Sequence, residues 1–368
     1  MADVMDWKRP LVQRSKRTSA MDPSRRRVIL SALLLGGAQW LDFTPLNALA
    51  AIRSPGENPM PTSKQDVEKI QFISGGETIV GLLFKPTAPA SKRPGIVLLG
   101  PFGYVKEQSP AEYAARLANA GFVALIFDSR CSGESGGMPR RHESPANKIA
   151  DAQAAIDFLA QRPEIDPARL GALGICQGCS EMIAVAATDP RIKAIALVSG
   201  QYLYAENLHK FFSGDGPTLH ERIARGRAAL ARFHDNGHVD YTEVVSLTDK
   251  SAGLPWPPIH DWYMPWTTEK WGKPSRWENR YTTMSDAEVW TFDVDEHARK
   301  LKTPTLVVHG EMSDGGPEAA EHVYALMPAK HKKLHIVPGI FHTRFYDDPL
   351  VIEPTAGQLA DWFQSHLV

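Results

Sequence analysis

Two glycines that flank a cysteine, in the pattern Gly174-x-Cys176-x-Gly178, constrain the fold of this chain more than any other feature. An apolar run, residues 170–173, precedes them, and a run with helical character, residues 179–187, follows. A turn that joins a strand directly to a helix has room only for very small residues two places either side of its apex. The pattern predicts a nucleophile elbow that carries a thiol in place of the usual serine hydroxyl. The helix N-terminus behind it would favour the thiolate.

Cys131 and Cys179 complete the cysteine content, and Cys179 leaves a second interpretation open. Cys176 and Cys179 stand at the C-x-x-C spacing, which is typical of redox dithiols and of half a zinc site. A second ligand pair at suitable spacing is missing from the sequence, so we expect neither a metal nor a cofactor. A dithiol protein stays an alternative. The simpler interpretation makes Cys179 a small residue that packs the first turn of the elbow helix.

Short apolar runs alternate with helical patterns through most of the chain. The predicted strands are residues 69–74, 78–84, 95–99, 123–127, 170–175, 194–198, 305–309 and 333–337, and the predicted helices are 110–120, 146–160, 177–187, 317–326 and 352–366. Continuous apolar strands separated by helices are typical of a parallel sheet covered on both faces. The first two strands, joined near Gly75 and Gly76, should form an antiparallel hairpin at one edge. The sequence therefore predicts an α/β fold with a mostly parallel central sheet of about eight strands.

Residues 203–296 interrupt this alternation and are predicted to form a lid between the sixth and seventh core strands. The segment holds six of the nine tryptophans, Trp256, Trp262, Trp266, Trp271, Trp277 and Trp290. These side chains either form an aromatic wall over an apolar pocket or build a small satellite core. In the first case Trp262 and Trp266 are the candidate substrate-binding residues. The core domain would then comprise residues 68–202 and 297–368.

The first fifty residues resemble a twin-arginine export signal. They carry eight Lys and Arg against four Asp, whereas the whole chain has a net charge of −1. Residues 25–27 are arginines that precede an apolar run, and residues 48–50 offer an A-x-A cleavage site. We expect recognition by the twin-arginine machinery and a periplasmic or secreted mature protein, with a membrane anchor or a basic tail as alternatives. Residues 51–67, polar and rich in proline, are interpreted as a linker. The remainder of the chain shows no sign of a nucleic-acid-binding surface.

A thiol nucleophile needs a base and a group that orients the base. On an elbow scaffold these partners follow the nucleophile in the order acid, then histidine, each on a loop after a strand. Asp314 follows the predicted strand at 305–309, and His342 follows the predicted strand at 333–337. Glu311 is a rival to Asp314, because it lies nearer the strand end. The sequence predicts a catalytic triad of Cys176, His342 and one of these two acids, with Asp314 preferred.

Two backbone N–H groups are needed to bind the oxyanion that forms during acyl transfer. One should belong to Gln177, directly after the nucleophile. The other should come from the loop at residues 100–104, where Pro101 has no N–H to offer and Phe102 is the better donor. An ordinary Gly/Pro turn is the alternative interpretation of this loop.

Taken together, these motifs resemble the α/β-hydrolase superfamily and, within it, the dienelactone-hydrolase-like and YcjY-type hydrolases. The matching stretches are residues 103–108, 128–137, 173–176 and 189–194, and His342 with residues 346–347. The resemblance implies an α/β-hydrolase fold from about residue 68 onward and a triad of Cys176, His342 and Asp314. Many members place the acid three residues after the glycine of the corresponding loop, a position that is Ser313 here.

These features predict a hydrolase that cleaves a small, apolar or aromatic carboxylic ester or lactone through an acyl-thioester intermediate. An acyltransferase on the same scaffold is an alternative, in which an alcohol or amine replaces water. A peptidase is less favoured, because the poor leaving group of an amide tends to expel sulfur first. A dithiol protein and a binding module without catalysis complete the hypotheses.

Overall fold

The computed structural model describes residues 66–88, 92–267, 269–270, 273–274 and 276–368. The predicted export signal, nearly all of the predicted linker and Trp271 lie outside the described residues. Within the described part of the chain, no helix is both long enough and apolar enough to cross a membrane.

An eight-stranded sheet lies at the centre of the fold, as the sequence predicts. Its strands are β1 (Asp66–Ser74), β2 (Glu77–Lys85), β3 (Arg93–Leu99), β4 (Val123–Phe127), β5 (Ile165–Ile175), β6 (Ile192–Val198), β11 (Thr305–Met312) and β12 (Lys332–Phe341). Their spatial order is β1-β2-β4-β3-β5-β6-β11-β12. The edge hairpin of β1 and β2 is antiparallel and joins β4 in antiparallel pairing, whereas the other six strands of this sheet pair in parallel.

Helices cover both faces of this sheet, which explains why the central strands are apolar without alternation. In β4, Ala124 and Ile126 belong to one apolar cluster, while Val123, Leu125 and Phe127 belong to the other. The helices outside the lid are α1 (Ser109–Asn119), α2 (Pro145–Ala160), α3 (Gly178–Thr188), α9 (Gly316–Leu326), α10 (Arg344–Asp347) and α11 (Pro349–Leu367). A strand buried on both faces has no solvent side on which polar residues would be selected.

Three strands extend beyond the apolar runs that predict them, because neighbouring strands pair with their backbone. β1 begins at Asp66, which lies opposite Lys85 in the hairpin register. The two side chains form an ion pair at 2.9 Å. β5 begins at Ile165, opposite Arg93. β12 continues past a bulge to Phe341, directly before His342. Hydropathy does not reveal such extensions, since backbone pairing needs no apolar side chain.

The segment between β6 and β11 packs over the core. Its elements are α4 (Ala205–Phe211), α5 (Leu219–Asn236), β7 (Tyr241–Thr242), α6 (Pro257–Tyr263), β8 (Glu269–Lys270), β9 (Lys273–Pro274), β10 (Tyr281–Thr282), α7 (Asp286–Val289) and α8 (Val294–Ala298). The Tyr263 hydroxyl donates to the Phe102 carbonyl at 2.8 Å, and the Trp277 indole N–H donates to the Gly103 carbonyl at 3.0 Å. The segment therefore holds the loop after β3, where the sequence predicts an oxyanion donor.

Candidate active site

Cys176 occupies the apex of a sharp turn between β5 and α3. Its φ of +56° lies in the left-handed region, which costs a non-glycine residue of order 1–3 kcal/mol. The turn is closed around it: a Cβ on Gly174 would stand 2.5 Å from the Gly178 carbonyl oxygen, and a Cβ on Gly178 would stand 2.6 Å from the Leu99 carbonyl oxygen. Both contacts are with backbone that cannot swing away. The two glycines are therefore a steric requirement of this turn.

Cys176 is only 5% exposed and belongs to an apolar cluster that includes residues of the segment between β6 and β11. Burial raises the pKa of the thiol to about 12, although hydrogen bonds from the Tyr346 hydroxyl and from the backbone N–H groups of Gln177 and Phe102 act in the opposite direction. The thiol is therefore protonated at neutral pH, and burial outweighs the stabilisation of a thiolate that the helix N-terminus was expected to provide. The two N–H groups that the sequence singles out both lie at this sulfur.

His342 follows β12 directly and is also buried, with 4% of the residue exposed. Its Nδ1 atom lies 3.1 Å from the Ser199 hydroxyl and accepts the backbone N–H of Asp314 at 3.3 Å. Burial, with a smaller contribution from His309, lowers the pKa of His342 to about 3. The ring is consequently neutral. Because a backbone N–H can only donate, this arrangement leaves Nδ1 as an acceptor and places the ring proton on Nε2.

The two candidate acids lie in different environments. Asp314 is half-buried with its Oδ2 atom inaccessible to solvent, and desolvation raises the pKa of its carboxyl to about 7 against a hydrogen bond from the Asn207 amide. Its Oδ2 atom makes no hydrogen bond among the described residues. Glu311 is exposed, and its carboxylate accepts the backbone N–H of Gly339 at 2.7 Å. The structure thus places Asp314 beside His342 through the main chain and leaves Glu311 at the surface.

Two residues at the site were not predicted as functional. Ser199 follows β6 with a φ of +47°, and its hydroxyl lies between Nδ1 of His342 and the Ser313 hydroxyl at 3.0 Å. Tyr346 lies one helical turn after His342, and the two rings meet edge to face with centroids 5.4 Å apart. Tyr346 could have been predicted to contact His342, because residues four apart lie on the same face of a helix. The sequence carries no comparable signal for Ser199.

All three cysteines are free thiols in the structure. Cys179 is fully buried, and its thiol donates to the Gly174 carbonyl at 3.2 Å, on the core side of the elbow. This is the packing position that the simpler interpretation of the sequence predicts, and it does not favour a dithiol function. Within the described ranges, no group of three or more His, Cys, Asp or Glu side chains could hold a metal ion.

Trp262, Trp266, Trp277 and Trp290 all belong to the apolar cluster that contains Cys176, and they differ in the rings that they contact. Trp262 and Trp266 are buried in the same apolar cluster as Cys176, and the Trp262 ring meets the Tyr346 ring edge to face at 4.7 Å. Trp290 stacks on Phe102 at 5.7 Å and donates to the Asp286 carboxylate at 2.6 Å. Trp262 therefore contacts Tyr346, whose hydroxyl bonds to the Cys176 thiol, whereas Trp290 packs on the ring of Phe102.

An eight-stranded, mostly parallel sheet with an elbow at the end of its fifth strand defines an enzyme of the α/β-hydrolase type. The model of the X-Pro dipeptidyl-peptidase (S15) family matches residues 76–343. The chain belongs to that family.

Two bacterial relatives match most of the chain. PA2218 of Pseudomonas aeruginosa is 31% identical over 316 residues, which cover 83% of this chain and 82% of the relative. Its crystal structure superposes with a TM-score of 0.71 at 27% identity, covering 85% of this chain and 97% of that one. YcjY of Escherichia coli is 29% identical over 309 residues, or 81% and 99% of the two chains. The predicted α/β-hydrolase fold is confirmed.

A shorter match reaches a fungal enzyme. The thiohydrolase apmlB of Arthrinium phaeospermum is 33% identical over 132 residues, which cover 36% of this chain and 42% of that protein.

Proposed function

We propose that this protein hydrolyses a carboxylic ester or lactone through nucleophilic attack by Cys176. One observation carries the proposal: Cys176 sits on a strained elbow, where the N–H groups of Phe102 and Gln177 lower the pKa of its thiol against the effect of burial. An acyl group bonded to this sulfur would place its carbonyl oxygen near the same two donors. The partial match to a thiohydrolase supports a hydrolytic reaction.

In the proposed reaction, His342 removes the proton of the Cys176 thiol as the sulfur attacks the substrate carbonyl. The oxyanion is bound by Phe102 and Gln177, the alcohol leaves with a proton from His342, and an acyl-thioester remains. Water, deprotonated by His342, then attacks the thioester and releases the acid. Since burial raises the thiol pKa to about 12 and lowers the imidazole pKa to about 3, the resting pair is neutral. Proton transfer must therefore accompany the attack.

Asp314 is the proposed partner of the imidazolium that forms during this transfer. A base that accepts at Nε2 must carry its proton on Nδ1, which is the opposite of the resting tautomer. The Asp314 carboxylate would accept that Nδ1 proton if it replaced the backbone N–H of the same residue at the ring. The pKa of about 7 means that the carboxylate is partly ionised near neutral pH and can then stabilise the cation.

The surroundings of the sulfur favour a small apolar or aromatic acyl group. Trp262 and Tyr346 form an aromatic surface near Cys176, and the Trp262 indole is held by the Asp347 carboxylate at 2.8 Å. Such a surface binds apolar groups by excluding water. If the site excludes water, the alternative reaction is favoured, in which the acyl group is transferred to an alcohol or an amine.

Peptide cleavage is the second candidate, and membership of the X-Pro dipeptidyl-peptidase family favours it. The amine of a peptide is a poor leaving group, so a tetrahedral adduct on sulfur tends to return to substrate unless the amine is protonated first. We therefore rank ester hydrolysis above peptidase activity for a thiol nucleophile.

The test compares the wild-type protein with Cys176→Ala on p-nitrophenyl butyrate and on alanyl-proline p-nitroanilide. We expect ester turnover in the wild type, a loss of about a thousandfold or more in Cys176→Ala, and little anilide cleavage. Cys179→Ala is the matched control and should stay within about twofold of the wild type, since Cys179 only packs the elbow. Equal ester turnover by wild type and Cys176→Ala would refute the proposal, and faster anilide cleavage would favour the peptidase. Added methanol or butylamine as acceptors separates hydrolysis from acyl transfer.

We further propose that the first fifty residues direct export by the twin-arginine route to the periplasm or the cell exterior. Replacement of Arg25, Arg26 and Arg27 by lysine should leave the protein in the cytoplasmic fraction. An unchanged distribution between cell fractions would contradict this proposal.

A further inference from the structure

A cluster of buried charged side chains lies behind the predicted oxyanion donors and is not explained by the catalytic triad. Lys148 of α2 has 3% of its side chain exposed and forms an ion pair with Glu143, which has 4% exposed. Glu181, in the first turn of α3, is fully buried. Burying charged groups costs several kcal/mol for each ion unless partners compensate for the lost water.

The first contact of this cluster is with the peptide group that contains the Phe102 N–H. The Lys148 ammonium donates to the Pro101 carbonyl at 3.4 Å. The Pro101 carbonyl and the Phe102 N–H belong to one planar amide and point in opposite directions. A cation at the oxygen therefore fixes the plane of this amide, and it also polarises the N–H at the other end.

The second contact is with the residue that supplies the other donor. The Gln177 side-chain amide donates to Glu181 at 2.6 Å and to Glu143 at 3.3 Å. The two carboxylates thus hold Gln177 from two segments, since Glu143 lies in the loop before α2 and Glu181 in the first turn of α3. Glu143 is held in turn by the Ser285 hydroxyl, which accepts its backbone N–H at 2.8 Å.

We propose that Lys148, Glu143 and Glu181 form one positioning device that sets both oxyanion donors, Phe102 through the Pro101 carbonyl and Gln177 through its side chain. The inference rests on the proposed function, because it concerns the hole that would bind the oxyanion at Cys176. Lys148 and the two glutamates are positioning residues and touch no reacting atom. The ion pair between Lys148 and Glu143 joins the two halves of the device.

The test uses the double variant Lys148→Met/Glu143→Gln, which removes both charges of the ion pair together, so that neither is left without the other. Two rates are measured on the full chain: acylation by p-nitrophenyl butyrate in single turnover, and alkylation of Cys176 by iodoacetamide. Alkylation is a displacement at carbon that forms no oxyanion. A misplaced oxyanion hole should slow acylation by about ten- to a hundredfold, with KM within about twofold. Alkylation should fall much less, because the same two N–H groups only assist the thiolate against the larger effect of burial.

Two further variants keep the test decisive. Lys148→Arg retains the cation and should recover most of the acylation rate, even if the double variant is poorly folded. Lys106→Met/Asp128→Asn removes another buried ion pair, at 2.8 Å, that touches neither Pro101 nor Gln177. In this control the ratio of acylation to alkylation should stay at the wild-type value, whatever happens to the melting temperature.

The outcomes separate the inference from the proposed function. Wild-type acylation in the double variant, while Cys176→Ala is inactive, overturns the inference alone. A parallel fall of acylation and alkylation also overturns it, because the cluster would then act on the thiol or on folding. Turnover that persists in Cys176→Ala refutes the proposed function and with it the need for an oxyanion hole.

Discussion

Asp314 meets His342 through its main chain: the Asp314 N–H donates to Nδ1 of the ring at 3.3 Å. The carboxyl group of the same residue bonds instead with the Asn207 amide. A resting enzyme with this arrangement holds the acid close to the ring without engaging it. The proposed catalytic arrangement requires the Asp314 carboxylate to replace this N–H at the ring and the ring proton to move from Nε2 to Nδ1.

Replacing Asp314 by asparagine should lower kcat/KM for ester hydrolysis by about a hundredfold or more, because the imidazolium loses its anionic partner. The matched control is Glu311→Gln, which changes the rival acid at the surface and should keep activity within about twofold.

The wild-type rate of ester hydrolysis should rise with pH through about 7 as Asp314 ionises, and Asp314→Asn should abolish this step in the pH profile. Glu181 has a pKa of about 7 as well, so Glu181→Gln must retain the step. Loss of the step in Glu181→Gln alone would move the assignment away from Asp314.

The same carboxyl group should make the stability of the protein depend on pH. Burial raises the folded-state pKa of Asp314 from 3.8 to about 7, so its contribution to stability is present below pH 3.8 and is lost as the pH rises through about 7. Asp314→Asn should therefore gain stability relative to the wild type between about pH 4 and about pH 8, by up to about 4 kcal/mol. Urea unfolding of the wild type and of Asp314→Asn, at about pH 4 and at about pH 8, measures the difference in the free energy of unfolding. A constant difference between the two proteins would contradict a buried, shifted carboxyl.

Alkylation of Cys176 should be slow at neutral pH and should accelerate about tenfold per pH unit between about pH 7 and pH 10. The reason is the thiol pKa of about 12, which leaves very little thiolate near pH 7. Mass spectrometry of the modified peptides follows each cysteine separately. A rapid rate that does not vary with pH would instead indicate a preformed thiolate–imidazolium pair.

The two glycines of the elbow should tolerate no side chain. Gly174→Ala or Gly178→Ala places a methyl group against backbone atoms 2.5–2.6 Å away, and either change should reduce the free energy of unfolding by about 3 kcal/mol or more. Gly357→Ala, in α11, is the matched control, because a Cβ there meets nothing within 4 Å. That change should stabilise the protein by up to about 1 kcal/mol. Elbow variants as stable as the wild type would show that the turn can relax.

Much of the fold could be predicted because the signals are local. The strand β4 has the predicted bounds, residues 123–127. The two glycines around Cys176 indicate a sharp turn, and the backbone of Cys176 is strained as that turn requires. The antiparallel edge hairpin follows from two glycines between two short strands. Each of these inferences depends on residues that are close together in the chain.

The site could be predicted less completely. His342 and Asp314 follow strands β12 and β11, so the parallel sheet brings both to the edge that carries Cys176. Which group of Asp314 meets the ring is set by Asn207 and Ser199, from two other segments. The cluster of Lys148, Glu143 and Glu181 also joins residues from separate elements, and charged residues in a sequence usually indicate solvent-facing positions.

The sequence by itself determined the order of strands and helices, the elbow and the identity of its thiol, because periodicity and glycine spacing act over a few residues. Only the tertiary structure decided that the thiol is buried and protonated, that Nδ1 of His342 meets the Asp314 backbone, and that an ion pair lies behind the oxyanion donors. Those properties depend on desolvation and on hydrogen-bond geometry. Both are created when segments far apart in the chain pack together and exclude water.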